Sequence, residues 1–185
     1  MQLLTLEDLM KTVFVFAFRG TGRSKTSPFA SEPPLIKLGH VGFALEENPN
    51  VIWGFRPTDE AASHFSDDSA LINHLSEGKS LPGTLYNDYA IFARAAQLQK
   101  EGAQTEVRRL GLPMSDEDFD RLVKTLETIT ITGQHFNYAL PSDDRQSDNC
   151  ATFPKRIGVP LWNTKGIIRE FMDDMIRLDA DRWRP

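Results

Sequence analysis

The only cysteine of the 185-residue chain, Cys150, stands in SDNCATF at 147–153, where a polar segment gives way to a short helix. A sulfur in the first turn of a helix faces unpaired N–H groups and the positive end of the helix dipole, and both favour the nucleophilic thiolate. A free cysteine is also among the most buried residue types and often acts as a small hydrophobe. The position therefore predicts either a reactive thiol or an inert core residue.

A candidate base for this thiol is His40, the one histidine inside a strand-like run, LGHVGFAL at 38–45. In a pleated strand His40 shares a face with Gly42 and Ala44. These small residues leave room for a helix carrying Cys150 to pack beside the imidazole. A thiol hydrolase needs a nucleophile and a base that are far apart in sequence and adjacent in space. We therefore expect Cys150 and His40 to form a catalytic pair.

The other histidines are weaker candidates. His135 is an alternative base fifteen residues from Cys150, but it lies in a loop-like segment that fixes geometry less well than a strand does. His64 and His74 are ten residues apart in an acidic stretch, without the close spacing typical of zinc ligands. We expect no metal and no other cofactor.

Three segments together resemble the circularly permuted papain-like cysteine enzymes. They are GHVGFALE at 39–46, VIWGF at 51–55 and, near the end, an aromatic residue and a polar linker before DNCATF at 148–153. This group includes lecithin:retinol acyltransferase-like proteins and the PPPDE deubiquitinating and deSUMOylating peptidases. Its histidine strand precedes its cysteine helix, the reverse of papain and of NlpC-like peptidases. The resemblance implies that His40 is the base and Cys150 the nucleophile.

The chain departs from this group at a third polar position. Some members place a second polar residue on the strand that follows the histidine strand, whereas VIWGF has Trp53 there. Glu46, Glu47 and Asn50 are near His40 in sequence only. The prediction is a Cys-His dyad, or an imidazole oriented by a group that the sequence does not assign.

Composition limits the remaining possibilities. A chain of 185 residues with 40% hydrophobic content is ordinary for one globular domain, residues 1–185, and a net charge of −5 argues against a nucleic-acid platform. A single cysteine excludes an intramolecular disulfide and suits a reducing compartment. The acidic start, with Glu7 and Asp8, and the lack of a long apolar run predict neither a signal peptide nor a membrane span. We expect a cytoplasmic protein, or one delivered to another cell without an N-terminal signal peptide, that has no membrane partner.

The elements that must position the pair follow from periodicity and turn residues. Residues 12–18 predict a buried strand, 38–45 and 51–55 a hairpin, 69–75 a short helix, 107–112 a strand and 115 onward a capped helix; 86–92 is either a strand or the start of a helix. The predicted fold class is α+β and permuted papain-like, with an antiparallel sheet that carries His40 packed on a helix that carries Cys150. The long polar loop at 20–34 is expected to line the cleft.

The function that these residues favour is hydrolysis of an amide, peptide or isopeptide bond through an acyl-enzyme. Cys150 attacks the carbonyl, His40 moves the proton, and backbone N–H groups with Asn149 hold the oxyanion. The expected substrate is a peptide, an isopeptide or a peptidoglycan-type amide. Two alternatives stay open: a lipid acyltransferase or phospholipase of the same fold, and a non-catalytic binding or effector module, which Trp53 favours.

Overall fold

The computed structural model describes residues 10–20, 34–140 and 148–182. Within these residues the chain forms an α+β structure with one six-stranded antiparallel sheet, which confirms the predicted class. The strands are β1 (Met10–Arg19), β2 (Gly39–Leu45), β3 (Trp53–Pro57), β4 (Leu81–Asn87), β5 (Val107–Ser115) and β6 (Phe136–Tyr138). The helices are α1 (Pro34–Leu38), α2 (Asp59–Ser63), α3 (Asp68–Ser76), α4 (Tyr89–Lys100), α5 (Asp116–Thr132), α6 (Phe153–Arg156) and α7 (Ile168–Arg182).

The sheet has the strand order β5-β1-β2-β3-β4-β6. Its strongest pairing is around β1, where aromatic and β-branched residues alternate and pair with β2 from Val13–Leu45 to Phe18–His40. The strand predicted at 12–18 is therefore present. Its odd-numbered residues from Val13 to Ala17 are fully buried, whereas Phe14 and Phe16 remain partly exposed on the other face.

The hairpin of β2 and β3 is hydrogen-bonded only near its tip. The two strands pair at Gly42–Gly54 and Phe43–Trp53, whereas β3 pairs with β4 along its whole length. The half of β2 that begins at Gly39 and includes His40 therefore has a strand neighbour on one side only, which is β1. This separation creates the place where the candidate site lies.

The two faces of the sheet have separate cores. On one face Val15, Val41 and Phe43 belong to a cluster that α5 and α7 cover and that includes Cys150. On the other face Phe18 and Ala44 pack with Phe92 of α4. The expectation that a helix carrying Cys150 would fill the face of Gly42 and Ala44 is therefore wrong, because α4 already fills it.

Helix boundaries follow local signals closely. Ser115 caps α5 by accepting a hydrogen bond from the N–H of Asp118 at 3.2 Å, and the helix ends at Gly133, whose φ of 61° favours glycine. The ambiguous stretch at 86–92 is the end of a strand and the start of a helix, with Asp88 between them. Among the described helices, none is both long and apolar enough to cross a membrane.

Candidate functional site

Cys150 lies in a tight turn that begins at Asn149 and leads into α6. The side-chain oxygen of Asn149 accepts hydrogen bonds from the N–H groups of Ala151 at 2.9 Å and Thr152 at 3.2 Å, as an N-cap residue does. The backbone oxygen of Asn149 accepts the N–H of Phe153 at 2.9 Å, which closes one helical turn. The helix is short, as predicted, but Cys150 lies in the turn before it, since α6 has four residues and starts three residues after the sulfur.

Two anchors hold this turn against the sheet. The ring of Phe153 stacks on Phe55 of β3 with 3.9 Å between centroids and 12° between planes. The amide nitrogen of Asn149 donates to the backbone oxygen of Gly166 at 3.0 Å, and a Cβ at Gly166 would approach that nitrogen to 2.6 Å. These contacts fix the position of the sulfur through packing and through one buried hydrogen bond.

His40 is held by a buried carboxylate. Its Nε2 lies 2.9 Å from Oδ2 of Asp88, and the two side chains are 1% and 2% exposed. Gly54 makes this contact possible, because a Cβ there would lie 2.0 Å from that oxygen and 2.4 Å from Nε2. The ring also contacts Phe92, with 5.7 Å between centroids. Packing and hydrogen bonding therefore give the imidazole one orientation.

Cys150 lies close enough to this imidazole for its charge to raise the pKa of the ring. Because Asp88 occupies Nε2, the ring nitrogen left for the sulfur is Nδ1. Nδ1 is buried and makes no hydrogen bond to any described residue, so the sulfur-imidazole contact is loose. Catalytic hydrogen bonds are often long or poorly aligned in free enzymes and tighten when substrate binds.

Protonation of His40 is favoured in this environment. Burial of the ring lowers its pKa, but the hydrogen bond to Asp88 and the interaction with Cys150, together with their negative charges, outweigh burial and raise the pKa from 6.5 to about 9. At neutral pH His40 is therefore an imidazolium, with the carboxylate of Asp88 at Nε2. This is the charge state that the imidazole has in a thiolate-imidazolium pair.

Tyr138 is a second partner of the sulfur. Burial, the negative charge of Cys150 and a hydrogen bond to Cys150 together raise the pKa of Tyr138 well above its ordinary value of 10. The phenol therefore keeps its proton at neutral pH and acts as a donor. It belongs to β6, which pairs with Leu81 of β4 and touches the segment before Cys150 through a bridge to Asp148.

The carboxylate of Asp88 has a cationic neighbour on its other oxygen. Nε of Arg56 donates to Oδ1 of Asp88 at 3.3 Å, and its Nη1 donates to Asp59 at 2.7 Å. The guanidinium lies over the ring of Tyr86 at 3.6 Å. Arg56 thus connects the buried carboxylate to the surface and restricts its orientation.

The structure brings together the two residues that the sequence singled out, Cys150 and His40. It does not bring His135 to the sulfur, because His135 is exposed at the start of β6. The two acids that are near His40 in sequence do not contact the imidazole, since Glu46 accepts the N–H of Thr12 and Glu47 pairs with Lys11. Asn50 lies exposed in the hairpin turn.

Asn149, which is expected to help hold the oxyanion, also holds the turn. Its amide oxygen accepts two backbone N–H groups and its amide nitrogen donates one of its two hydrogens to Gly166. The N–H of Cys150 itself has no acceptor among the described residues. The donors beside the sulfur therefore include this N–H and the Tyr138 hydroxyl.

Sequence reasoning missed Asp88 and Tyr138. Asp88 directly precedes a helix, where an aspartate is ordinarily read as a cap, yet its side chain makes no capping hydrogen bond. Nothing in the sequence around Tyr138 distinguishes it from an aromatic residue that packs in the core. A buried tyrosine needs a hydrogen-bond partner for its hydroxyl, and that requirement was the available signal.

Other candidate sites lie apart from this cluster. The described residues contain no group of three metal-ligating side chains, and the ring of His74 packs on Phe65, with 5.0 Å between centroids. An apolar cavity of about 320 Å³ lies at the far end of the hairpin, beside Leu45 and Trp53. Cys150 is 4% exposed. The loop expected to line the cleft, 20–34, falls largely on residues 21–33, outside the described part of the chain.

Comparison with known proteins identifies no relative, since no family model, curated protein or solved structure matches this chain.

Proposed function

We propose that this protein is a cysteine hydrolase that cleaves an amide, peptide or isopeptide bond through an acyl-enzyme. The observation that carries the proposal is the buried chain of Cys150, His40 and Asp88, with 2.9 Å between Nε2 of the imidazole and the carboxylate. A nucleophile, a base and a group that orients the base are the three parts that covalent acyl transfer requires.

In the proposed reaction the thiolate of Cys150 attacks the carbonyl carbon, a C–S bond forms, and the C=O π electrons move to the oxygen. The Tyr138 hydroxyl and the N–H of Cys150 donate to this oxyanion. His40 gives its proton to the leaving amine as the C–N bond breaks, which leaves a thioester. Water then attacks the thioester carbonyl, His40 accepts its proton, the C–S bond breaks, and the carboxylic acid product leaves with the thiolate and the protonated His40 restored.

We further propose that the fold is a permuted papain-like one. Its support is the order of the elements: a histidine strand, β2, comes early in the chain, and the cysteine turn follows the last strand. The third polar group is Asp88, at the start of α4, and Trp53 therefore does not argue for a dyad. Because the mechanism needs a reduced thiol, we propose a cytosolic site of action, in the producing cell or in a recipient cell.

A non-catalytic binding module is the second candidate. It is favoured by the burial of the three groups, which are at most 4% exposed in the described part of the chain. A buried thiol can act as a small hydrophobic residue of the core, and a loose sulfur-imidazole contact is compatible with that role. The two candidates differ in the reactivity of the thiol.

Alkylation of the single cysteine by iodoacetamide, a small neutral reagent, tests the proposal. We expect rapid labelling at pH 6 to 7 in the wild type and at least tenfold slower labelling in His40→Ala, because the imidazolium that stabilises the thiolate is lost. His135→Ala is the matched control and should label at the wild-type rate. Slow labelling at the same rate in all three proteins would assign Cys150 to the core.

The reaction class needs a substrate panel. Peptide, ubiquitin-like isopeptide, peptidoglycan-type amide and phospholipid ester substrates should be compared with wild type and with Cys150→Ala. We expect turnover of an amide-type substrate that Cys150→Ala abolishes. Turnover of the ester alone would favour the lipid acyltransferase or phospholipase alternative.

A further inference from the structure

A second concave site lies at the end of β2 opposite the thiol. A cavity of about 320 Å³ opens between the β2–β3 hairpin and α5, and we call it the hairpin slot. Its wall consists of apolar side chains from both elements: Leu45, Val51, Trp53, Val123, Leu126 and Ile131. Leu45 is five residues along β2 from His40, which at about 3.3 Å per residue places the slot roughly 16 Å from the imidazole.

The dimensions of the slot select a small ligand. Its volume of about 320 Å³ falls at the lower end of the range of about 300 to 1,000 Å³ that small-molecule pockets occupy. A single flexible or flat apolar group fits, and the indole of Trp53 supplies an aromatic wall for it.

One charged residue, Glu127, lines the slot. Asn48, Glu127 and Thr130 form its polar part, and the exposed carboxylate of Glu127 makes no ion pair with any residue that the structure describes. Ile131 stands beside them with 84% of its surface exposed. An apolar wall below an unpaired carboxylate is complementary to a molecule with an apolar body and a cationic end.

We propose that the hairpin slot binds an elongated apolar molecule with an amine at one end. The apolar part lies against Trp53 and Val123, and the ammonium group lies at Glu127. This site is independent of Cys150, so the proposal does not depend on the thiol chemistry.

Calorimetric titration with octylamine, octanol and octanoate, each below the concentration at which it forms micelles, tests the ligand class. Octylamine should bind saturably, about threefold more tightly than octanol, as expected of an exposed ion pair, and octanoate should bind more weakly than either. In Glu127→Gln the amine and the alcohol should bind equally. Absence of saturable octylamine binding, or an unchanged preference in Glu127→Gln, would overturn the proposal.

Two threonines on α5 give a matched test of location. The hydroxyls of Thr130 and Thr128 donate to the backbone oxygen four residues before them, both at 2.8 Å, but only Thr130 lines the slot. Thr130→Phe should fill the slot and reduce octylamine affinity at least fivefold, whereas Thr128→Phe should leave it unchanged. Equal effects of the two substitutions would contradict the site.

Self-association through the same surface is the competing outcome. Analytical ultracentrifugation of wild type and Thr130→Phe distinguishes it, because a dimer that Thr130→Phe dissociates would assign the slot to a second copy of the chain and overturn the proposal. Cys150→Ala should bind octylamine as the wild type does, whatever its catalytic behaviour.

Discussion

The two ends of β2 have opposite surroundings, apolar at Leu45 and polar at His40. Toward the Leu45 end, β2 pairs with β3 at Gly42 and Phe43 and an apolar slot is open to solvent, whereas at the His40 end the strands separate and polar groups are buried. Burial of an ionisable pair costs free energy that the apolar end does not incur. The buried ionisable residue of β2, His40, therefore lies in the part of the strand that β3 does not pair with.

The register makes this comparison testable at two glycines. Gly42 and Gly54 are direct partners across the hairpin and lie on the same face. A Cβ at Gly42 would approach apolar atoms of Ile52 and Phe92 at 2.8 and 2.9 Å, whereas one at Gly54 would meet Asp88 and His40 at 2.0 and 2.4 Å. One glycine therefore supports packing and its partner supports the polar site.

The largest expected effect is that of Gly54→Ala. We expect its iodoacetamide labelling at pH 6.5 to fall to the rate of His40→Ala, because the new methyl group displaces the carboxylate from the imidazole. Gly42→Ala should keep the wild-type rate, although both substitutions should destabilise the fold by about 1 to 3 kcal/mol through overpacking. Labelling and urea unfolding measure the two effects. Equal labelling of the two variants would abolish the distinction between the two glycines.

The next effect concerns the charge at the polar end. The charge of Asp88 and its hydrogen bond both raise the pKa of His40, against the effect of burial. Asp88→Asn removes the charge and weakens the hydrogen bond, so the pKa of His40 should fall from about 9. NMR titration of the imidazole measures the change directly, and labelling of Cys150 at pH 6.5 should slow about tenfold for each unit that the pKa falls below the pH. Asp67→Asn, at the cap of α3, is the control. An unchanged His40 titration would exclude Asp88 as the source of the shift.

Turnover should depend on pH in a direction that this pKa sets. His40 has a raised pKa of about 9, so it is protonated below that pH and can donate a proton to the leaving group. As the pH rises through 9 the proton is lost, and turnover of an amide substrate should fall about tenfold per pH unit. Labelling should persist there, because alkylation of Cys150 needs no proton from His40. A parallel fall of labelling and turnover would argue against His40 as the acid.

Much of the fold could be predicted from the sequence because local patterns decide it. The aromatic and β-branched alternation of β1 and the Ser115 cap of α5 each contain their own signal. Cys150 and His40 were identifiable because few residue types supply a nucleophile and a base. Neither signal depends on how distant segments pack.

The rest of the site could not be predicted because it depends on tertiary packing. The separation of β2 from β3 beyond Gly42 leaves the half of β2 that carries His40 without a second strand neighbour, and no local pattern encodes it. Asp88 resembles an ordinary cap residue until the position of His40 is known. Tyr138 reaches the sulfur only because β6 pairs with β4.

The smallest expected effect lies where the buried network meets solvent, at Arg56. Its side chain is 23% exposed and bonds the oxygen of Asp88 that does not face His40, so Arg56 is a positioning residue. In Arg56→Gln we expect labelling at pH 6.5 to slow about two- to fivefold, the range of a partly exposed ion pair. Arg56→Lys should restore little of the rate, because an ammonium group cannot reproduce the bonds of the planar guanidinium to Asp88 and Asp59.

Arg121→Gln is the control for Arg56, because Arg121 also pairs with two carboxylates but lies on the exposed surface of α5. It should label at the wild-type rate. The NMR titration of His40 separates positioning from general destabilisation: a lost orientation of Asp88 lowers the pKa of His40 in Arg56→Gln, whereas global loosening leaves the titration of the folded protein at about 9. An unchanged titration with slower labelling would assign Arg56 to substrate or reagent access instead of to Asp88.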